Sequence, residues 1–233
     1  GQQRRLNIMK QHVMLSNQKI LDLGCGLGEY VRAFSREGGI AIGCDIEVSR
    51  VIEARGKSKL HENNIINYLV AQGENLPFLD NSLDVVVMNE VIEHVSNDRT
   101  TLKEINRVLR NDGSCVIFAP NKLFPFETHG IYVGKKYIFG NIPFINWLPG
   151  IIRNKLVPHA KAYRHQDWSQ LIEGTDFEIT EHTYVYPGFD NLEKKLGMLG
   201  RIIRKICYWA EKNWLRRFGL SHFLVLVKTS KRD

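Results

Sequence analysis

Ile20-Leu21-Asp22-Leu23-Gly24-Cys25-Gly26-Leu27-Gly28-Glu29-Tyr30 is the stretch that decides the fold. Ile20 to Leu23 reads as a short apolar strand carrying one acid, and it opens into glycines at 24, 26 and 28 ahead of a helical pattern. Glycine is required where the backbone takes positive φ or touches a ligand. Three of them at alternate positions at a strand end therefore imply a cofactor lying against the main chain. A dinucleotide fingerprint would place its third glycine at position 29, where this chain has Glu29, which disfavours a nicotinamide cofactor. An acid buried at a strand end is costly unless a ligand or backbone donor satisfies it, so Asp22 belongs with the site.

Working outward, Ile40 to Cys44 reads as a second buried strand ending at Asp45, 23 residues beyond Asp22. An acid there can accept from both ribose hydroxyls of a nucleotide. A third strand over Asn64 to Ala71 leads into Gln72-Gly73-Glu74-Asn75, and a fourth over Leu83 to Met88 leads into Asn89-Glu90-Val91-Ile92-Glu93-His94. Leu102, Ile105, Val108 and Leu109 recur at helical spacing within Thr100 to Arg110, and Gly113 to Ala119 is a fifth strand. Strands alternating with helices place the chain in the α/β class.

These elements, in this order from about residue 18 to 120, resemble the class I S-adenosylmethionine-dependent methyltransferases. The Asn89–Val95 phrase is similar to that of the small-molecule branch, including the ubiquinone-pathway O-methyltransferases. The resemblance implies a Rossmann-like seven-stranded doubly wound sheet of order 3-2-1-4-5-7-6 with strand 7 antiparallel. It implies S-adenosyl-L-methionine as cofactor and S-adenosyl-L-homocysteine as product. Onto this sequence it carries Asp22, Gly24, Cys25, Gly26, Asp45, Ile46, Gln72, Gly73, Glu74 and Asn89 as cofactor contacts, with the Asn89 backbone facing the methionine moiety. Position 72 is usually Asp in the family, and a Gln amide can still accept from the adenine amino group. Some ubiquinone-pathway relatives hold a divalent metal at the motif that reads Glu90, Glu93 and His94 here, a weak open ligand set that solvated acids at a helix start explain equally well, so no metal is expected.

At 233 residues and 43% hydrophobic content the chain can bury one full α/β core. It reads as a single domain over 1–233. Residues 1–17 are an N-terminal helix, 18–120 the cofactor-binding core, and 121–165 an insertion. Residues 166–233 hold strands six (about Glu178 to Tyr186) and seven (about Ser221 to Lys228) around a basic amphipathic helix at 192–218. Cys25, Cys44, Cys115 and Cys207 stand apart, which favours reduced thiols over a zinc site. No signal peptide or continuous apolar span is visible, and the expected location is the cytoplasm, with peripheral membrane contact to be weighed.

The charge of +7 is informative once located. Asp190 to Asp233 holds 11 Lys or Arg against 4 acids, and Asn121 to His165 holds 7 basic residues against Glu127 alone. Both cationic regions are additions to a bare core. In the family fold the segment after strand five stands over the methyl donor, so 121–165 is the expected acceptor lid. Its Tyr137, Phe139, Phe144, Trp147 and Ile151 suit an apolar acceptor. The 192–218 segment spaces Leu196, Leu199, Ile202, Ile203, Ile206, Ala210 and Trp214 among eight cations. Such a helix suits a membrane surface or packing on its own domain. Pro143 and Pro149 interrupt Phe139 to Val157 too strongly for it to span a bilayer.

For chemistry, a phenolic acceptor needs a base at neutral pH, and imidazole is matched to that task. His94 is the first candidate, about one helical turn beyond Asn89, with Glu90 or Glu93 to tune it; packing or capping is its alternative role. His129, near Glu127, is the second. His165 opens a helix expected over Gln166 to Gly174, where a cap or hinge role is favoured.

Three functions fit. The leading one is methyl transfer to the oxygen or carbon of a small lipophilic acceptor at a membrane surface. A methyltransferase of a soluble metabolite or sugar, with an ordered oligomer, is second, and a non-catalytic cofactor-binding scaffold third. Nucleic acid is disfavoured, because the segment after strand four lacks the Asn/Asp-Pro-Pro-aromatic motif of base methylation and the basic regions are rich in aliphatic residues.

Overall fold

The computed structural model describes residues 1–61 and 66–230. In chain order the elements of the core are α1 (Gln2–Met9), β1 (Lys19–Leu23), α2 (Glu29–Arg36), β2 (Ile40–Asp45), α3 (Val48–His61), β3 (Asn67–Val70), β4 (Leu83–Asn89), α4 (Asp98–Val108) and β5 (Leu109–Pro120). The insertion contributes β6 (Phe126–Glu127), β7 (Ile131–Val133), β8 (Lys136–Ile138), β9 (Ile142–Pro143), a 3₁₀ turn at Ile145–Trp147 and α5 (Gly150–Leu156). The chain continues through α6 (Asp167–Leu171), β10 (Phe177–Val185), α7 (Asp190–Leu196), α8 (Met198–Ala210), a 3₁₀ turn at Trp214–Phe218 and β11 (Ser221–Lys228).

Seven strands form one sheet in the order β3-β2-β1-β4-β5-β11-β10. All neighbours are parallel up to β5, and β11 runs antiparallel to both β5 and β10. This is the expected 3-2-1-4-5-7-6 arrangement. Strands buried on both faces read as continuous apolar runs, and the sheet sorts its residues accordingly. Leu21, Val86, Met88 and Ile117 face α4 and Trp168, while Ile20, Val85, Val87 and Phe118 face α1 and α2. Asn97 caps α4 by accepting from the Thr100 amide at 2.9 Å, and α4 then buries Leu102, Ile105 and Val108.

Several expected boundaries shift. Only Gln2–Met9 of residues 1–17 is helical, and the helix expected from Gln166 is shortened to Asp167–Leu171. The third strand begins at Asn67, and Asn64, expected to open it, lies outside the described residues. The continuous helix expected at 192–218 is three pieces. Gly197 sits at φ 54°, ψ −118°, which only glycine adopts readily, so α7 stops there and α8 starts in a new direction; α8 then ends at Ala210, before the 3₁₀ turn.

The insertion has its own interior. β6 pairs with β9, β7 with β8, and Ile131, Val157 and Ala160 form a small apolar cluster. The segment is tied to the core by backbone: Lys161 N donates to Glu93 O, Tyr163 N to Pro120 O and Lys122 N to Tyr163 O. Tyr163 Oη also donates to Ile92 O at 3.0 Å. These ties bring the insertion's histidines to the turn after β4.

Candidate functional site

The turn after β1 is built as its glycines demand. Gly24, Gly26 and Gly28 all have positive φ, at 74°, 51° and 75°. A Cβ on Gly24 would lie 2.3 Å from Val91 Cγ2. The amides of Gly24 and Cys25 both donate to Cys44 O, lashing the turn to the end of β2. There Asp45 turns back. Its Oδ2 accepts from the Gly26 amide at 2.8 Å and its Oδ1 from the Glu47 amide at 3.0 Å. Asp22 is buried just beneath. Burial, and then the nearby Asp45 charge, push its pKa up to about 8, so it is held largely protonated and can donate.

A cavity of about 530 Å³ opens above this turn. Of the residues expected to touch cofactor, Gly24, Asp45, Ile46, Gln72, Gly73 and Glu74 line it. Glu74 is also anchored, its Oε1 accepting from the Asn97 amide at 3.0 Å. Asp22, Cys25 and Gly26 lie outside the lining, in the layer that shapes the turn. Sequence reading missed Glu47, Arg50, Val91, Ser96 and His159, all of which line it. Glu47 and Arg50 could have been found as the polar residues just after the acid of β2. Val91 is signalled only by the glycine that makes room for it.

The segment after β4 departs from expectation. Asn89 lines a different, smaller cavity, and its Oδ1 accepts from Arg5 Nη1. Glu90 takes φ 58°, an unusual conformation for a residue with a side chain. Its Oε1 accepts from Arg5 Nη2 at 2.7 Å and Ser221 Oγ at 2.5 Å. The carboxylate is therefore tied to α1 and β11, and the ligand set Glu90, Glu93 and His94 is not assembled.

Glu93 and His94 instead meet His129 from the insertion. Glu93 is 2% exposed, and neither carboxylate oxygen has a hydrogen-bond partner. His94 Nε2 and His129 Nε2 each stand 3.7 Å from Glu93 Oε1, with the two rings 5.2 Å apart. Each imidazole is fixed from behind. His94 Nδ1 donates to His159 O at 2.9 Å, and His129 Nδ1 donates to Glu127 Oε1 at 3.0 Å. Glu127 Oε2 in turn accepts from Arg153 Nη2 at 2.8 Å.

Burial pushes Glu93 up to about 7 and holds His94 below the ordinary imidazole range. Burial opposes protonation of His129 as well, but its contacts with Glu127 and Glu93 prevail and raise it to about 9. His94 is thus the imidazole with a free lone pair at neutral pH, and it lines the cavity, which His129 does not. His165, near these in sequence to the insertion, belongs elsewhere: its ring stacks on His182 at 4.0 Å over β10. The four cysteines are unpaired thiols, as expected.

Comparison with known proteins bears on the fold and on residues 21–117. Residues 21–117 match the family model described as "Methyltransferase domain". The chain is 31% identical over 142 residues to the mitochondrial ubiquinone biosynthesis O-methyltransferase of Dictyostelium discoideum, covering 57% of this chain and 44% of that one. It is 32% identical over 154 residues to the ubiquinone/menaquinone biosynthesis C-methyltransferase of Haemophilus ducreyi, covering 64% and 55%. The chain spans about half the length of the curated relatives it matches. A crystal structure of an S-adenosylmethionine-dependent methyltransferase from Mesorhizobium loti shares the fold, with a TM-score of 0.65 at 13% identity, covering 95% and 96% of the two chains. The resemblance read from Asp22 to Gly28 is borne out. Over residues 21–117 the chain matches a methyltransferase domain, for which S-adenosylmethionine is the cofactor.

Proposed function

We propose that the whole chain transfers the S-adenosylmethionine methyl group to a hydroxyl oxygen of a small lipophilic acceptor. One observation carries this reading: a single cavity is lined on one side by Gly24, Asp45 and Gln72 and on another by His94 and His159. Cofactor contacts and an imidazole with a free lone pair thus share one space. Asp45 accepts from the ribose hydroxyls, and Gln72 to Glu74 lie along the adenine. Asp22, buried beneath the glycine turn, lies toward the methionine end.

A sulfonium methyl is electrophilic enough that alignment supplies much of the rate. His94 Nε2 takes the acceptor's hydroxyl proton as the oxygen attacks the methyl carbon. The C–S bond breaks, and the products are a methyl ether, S-adenosylhomocysteine and an imidazolium that returns its proton to water.

A lipophilic acceptor is supported by a second cavity of about 870 Å³ between the insertion and α8, walled by Phe124, Phe126, Tyr186, Phe189, Ile203 and Phe218. The printed functions of the relatives, methylation in ubiquinone and menaquinone biosynthesis, favour a hydroxylated ring with an aliphatic tail. Contact with a membrane surface is supported by apolar side chains exposed on α8. Among the described residues no helix is long and apolar enough to cross a membrane.

Calorimetry with S-adenosylmethionine and S-adenosylhomocysteine on the wild type and Asp45→Ala tests the reading. Wild type binds both, and the variant loses at least about tenfold in affinity, the worth of one charge-assisted hydrogen bond. A folded wild type that binds neither ligand would remove the enzymatic reading and leave a scaffold.

A further inference from the structure

The apolar cavity and the cofactor cavity do not stand apart. A third space, of about 240 Å³, lies between them. Tyr186, Pro187 and Gly188 line both it and the apolar cavity. Asn89 is also in its wall, and the next residue, Glu90, lines the cofactor cavity. Consecutive Cα atoms are about 3.8 Å apart, so a single peptide separates these two spaces. Arg5, seated 4.8 Å over the Phe118 ring, touches both sides of that boundary, donating to Asn89 Oδ1 and, at 2.7 Å, to Glu90 Oε1. An apolar chamber, a polar neck and the site of chemistry therefore follow one another in that order.

The neck has a definite polarity. Arg4 and Arg5 are its cations, and each already has a carboxylate, Glu211 for Arg4 and Glu90 for Arg5. A carboxylate entering the neck would be desolvated beside Glu90 with both cations already paired. What the neck offers instead is a neutral donor. Because Asn89 Oδ1 accepts from Arg5, the orientation of the amide is fixed, and its NH₂ group can only donate. Among the described residues that NH₂ group has no protein partner, although Asn89 lines the neck.

We propose that Asn89 sets acceptor specificity by donating to a carbonyl oxygen that stands between the acceptor's ring and its aliphatic tail. The tail lies in the apolar chamber, and the ring hydroxyl reaches the cofactor cavity that His94 lines. The inference rests on the methyl-transfer reading and narrows its acceptor to a hydroxylated aryl ester, amide or ketone with a long chain. A ring joined to its tail by hydrocarbon alone would bury the Asn89 NH₂ group against methylenes. A site built to hydrogen-bond one group rejects the analogue without it more strongly than an apolar wall does, because the donor is left unpaired. The chamber, at about 870 Å³, is near the upper end of the range for small-molecule sites, which suits a chain rather than a single methyl group.

The test is calorimetry of three catechols on the full chain saturated with S-adenosylhomocysteine, whose own affinity is measured first. Dodecyl protocatechuate has ring, carbonyl and tail; dodecylcatechol lacks the carbonyl; methyl protocatechuate lacks the tail. No methyl transfer is needed. Dodecyl protocatechuate should bind at least about tenfold more tightly than either of the others, and this comparison requires no variant. Asn89→Asp keeps an oxygen for Arg5 and puts an acceptor in place of the donor. It should bring dodecyl protocatechuate down to the affinity of dodecylcatechol, and Asn89→Leu should do the same if Asn89→Asp does not fold. Ile203→Phe narrows the chamber, so it should weaken both tailed catechols and spare methyl protocatechuate. Equal binding of the two tailed catechols by wild type would overturn the inference, as would dodecyl protocatechuate undiminished in the folded Asn89 variants. Failure of dodecyl protocatechuate to bind a wild type that does bind S-adenosylhomocysteine would also overturn it, and would leave methyl transfer standing. A folded wild type that binds neither S-adenosylhomocysteine nor any catechol would remove the methyl-transfer reading itself.

Discussion

Arg153 and Glu127 form an ion pair inside the insertion, Nη2 to Oε2 at 2.8 Å, with side chains only 2% and 1% exposed. The remaining guanidinium donors reach Ala160 O at 2.8 Å and Asn146 Oδ1 at 3.1 Å, so α5, the 3₁₀ turn and β6 are joined through one side chain. Removing one partner of a buried pair strands the other as an uncompensated charge. Arg153→Ala should therefore cost about 3–5 kcal/mol in denaturant unfolding. Because Glu127 also holds His129, hydrogen exchange should rise at the insertion's backbone amides before the sheet opens. An unfolding midpoint equal to that of wild type would show that the pair does not organise this segment.

Gly24 and Gly26 share a left-handed backbone but differ in surroundings, and alanine at each separates packing from ligand contact. At Gly24 the new methyl would meet Val91 Cγ2 at 2.3 Å, and strain adds to overpacking, for a loss of about 2–5 kcal/mol in stability. At Gly26 no atom beyond its own chain neighbours lies within 4 Å of the added Cβ, so stability should fall by only about 1–2 kcal/mol. If the cofactor lies against the turn, Gly26→Ala nonetheless loses S-adenosylhomocysteine affinity by at least about tenfold. Full affinity in that variant would place the cofactor elsewhere.

What could be read in advance follows the physics of each part. Glycines with forced φ, acids at strand ends and apolar runs of strand length are local signals, and with the family resemblance they gave the sheet order and the cavity floor at Gly24, Asp45 and Gln72. The approach of His129 to Glu93 is not local. It depends on two-residue ribbons and on the Arg153 pair, neither of which leaves a periodic pattern. His159 was missed because its backbone carbonyl, holding His94, is invisible to any motif. The break at Gly197 was within reach, since Leu196-Gly197-Met198-Leu199-Gly200 places two glycines in an otherwise helical run. Hydrophobic periodicity outweighed them.

A second histidine cluster gives the fold a pH dependence. His182 Nε2 donates to His222 Nδ1 at 2.9 Å, and His222 Nε2 donates to Tyr163 O at 2.9 Å; both rings are neutral in this arrangement. Burial holds His182 down to about 3 and His222 down to about 4; His165 opposes protonation of both, while Asp167 and Glu90 favour it at His222. In the unfolded chain imidazoles titrate near 6.5, so between that pH and about 4 the unfolded state binds more protons. Stability is then complete above about pH 6.5 and declines as pH falls, by roughly 2–3 kcal/mol from His222 at pH 4. Unfolding midpoints measured from pH 7 to 4.5 should fall in wild type and flatten in His182→Leu/His222→Gln. Equal slopes in the two proteins would assign the acid sensitivity to carboxylates instead.

The outward stripe of α8 carries the last prediction. Leu199, Ile202, Ile206 and Trp209 follow one another at intervals of three and four residues, and all are exposed, Trp209 by 60%. Ile203 and Cys207 lie about 100° round the helix and line the apolar cavity, so this helix presents apolar surface both to the cavity and to solvent. Water is a poor solvent for the outer stripe, and Arg201 and Lys205, exposed beside it, suit an anionic lipid headgroup layer. The chain should sediment with vesicles containing phosphatidylserine and be released as salt rises. Replacing Leu199, Ile206 and Trp209 together by serine should abolish sedimentation without lowering the unfolding midpoint, because none of the three is buried. Ile203→Ser is the internal contrast: it should leave vesicle binding intact and weaken whatever occupies the apolar cavity. Sedimentation unchanged in the triple variant would exclude this face as the membrane contact and return α8 to the surface of a soluble enzyme.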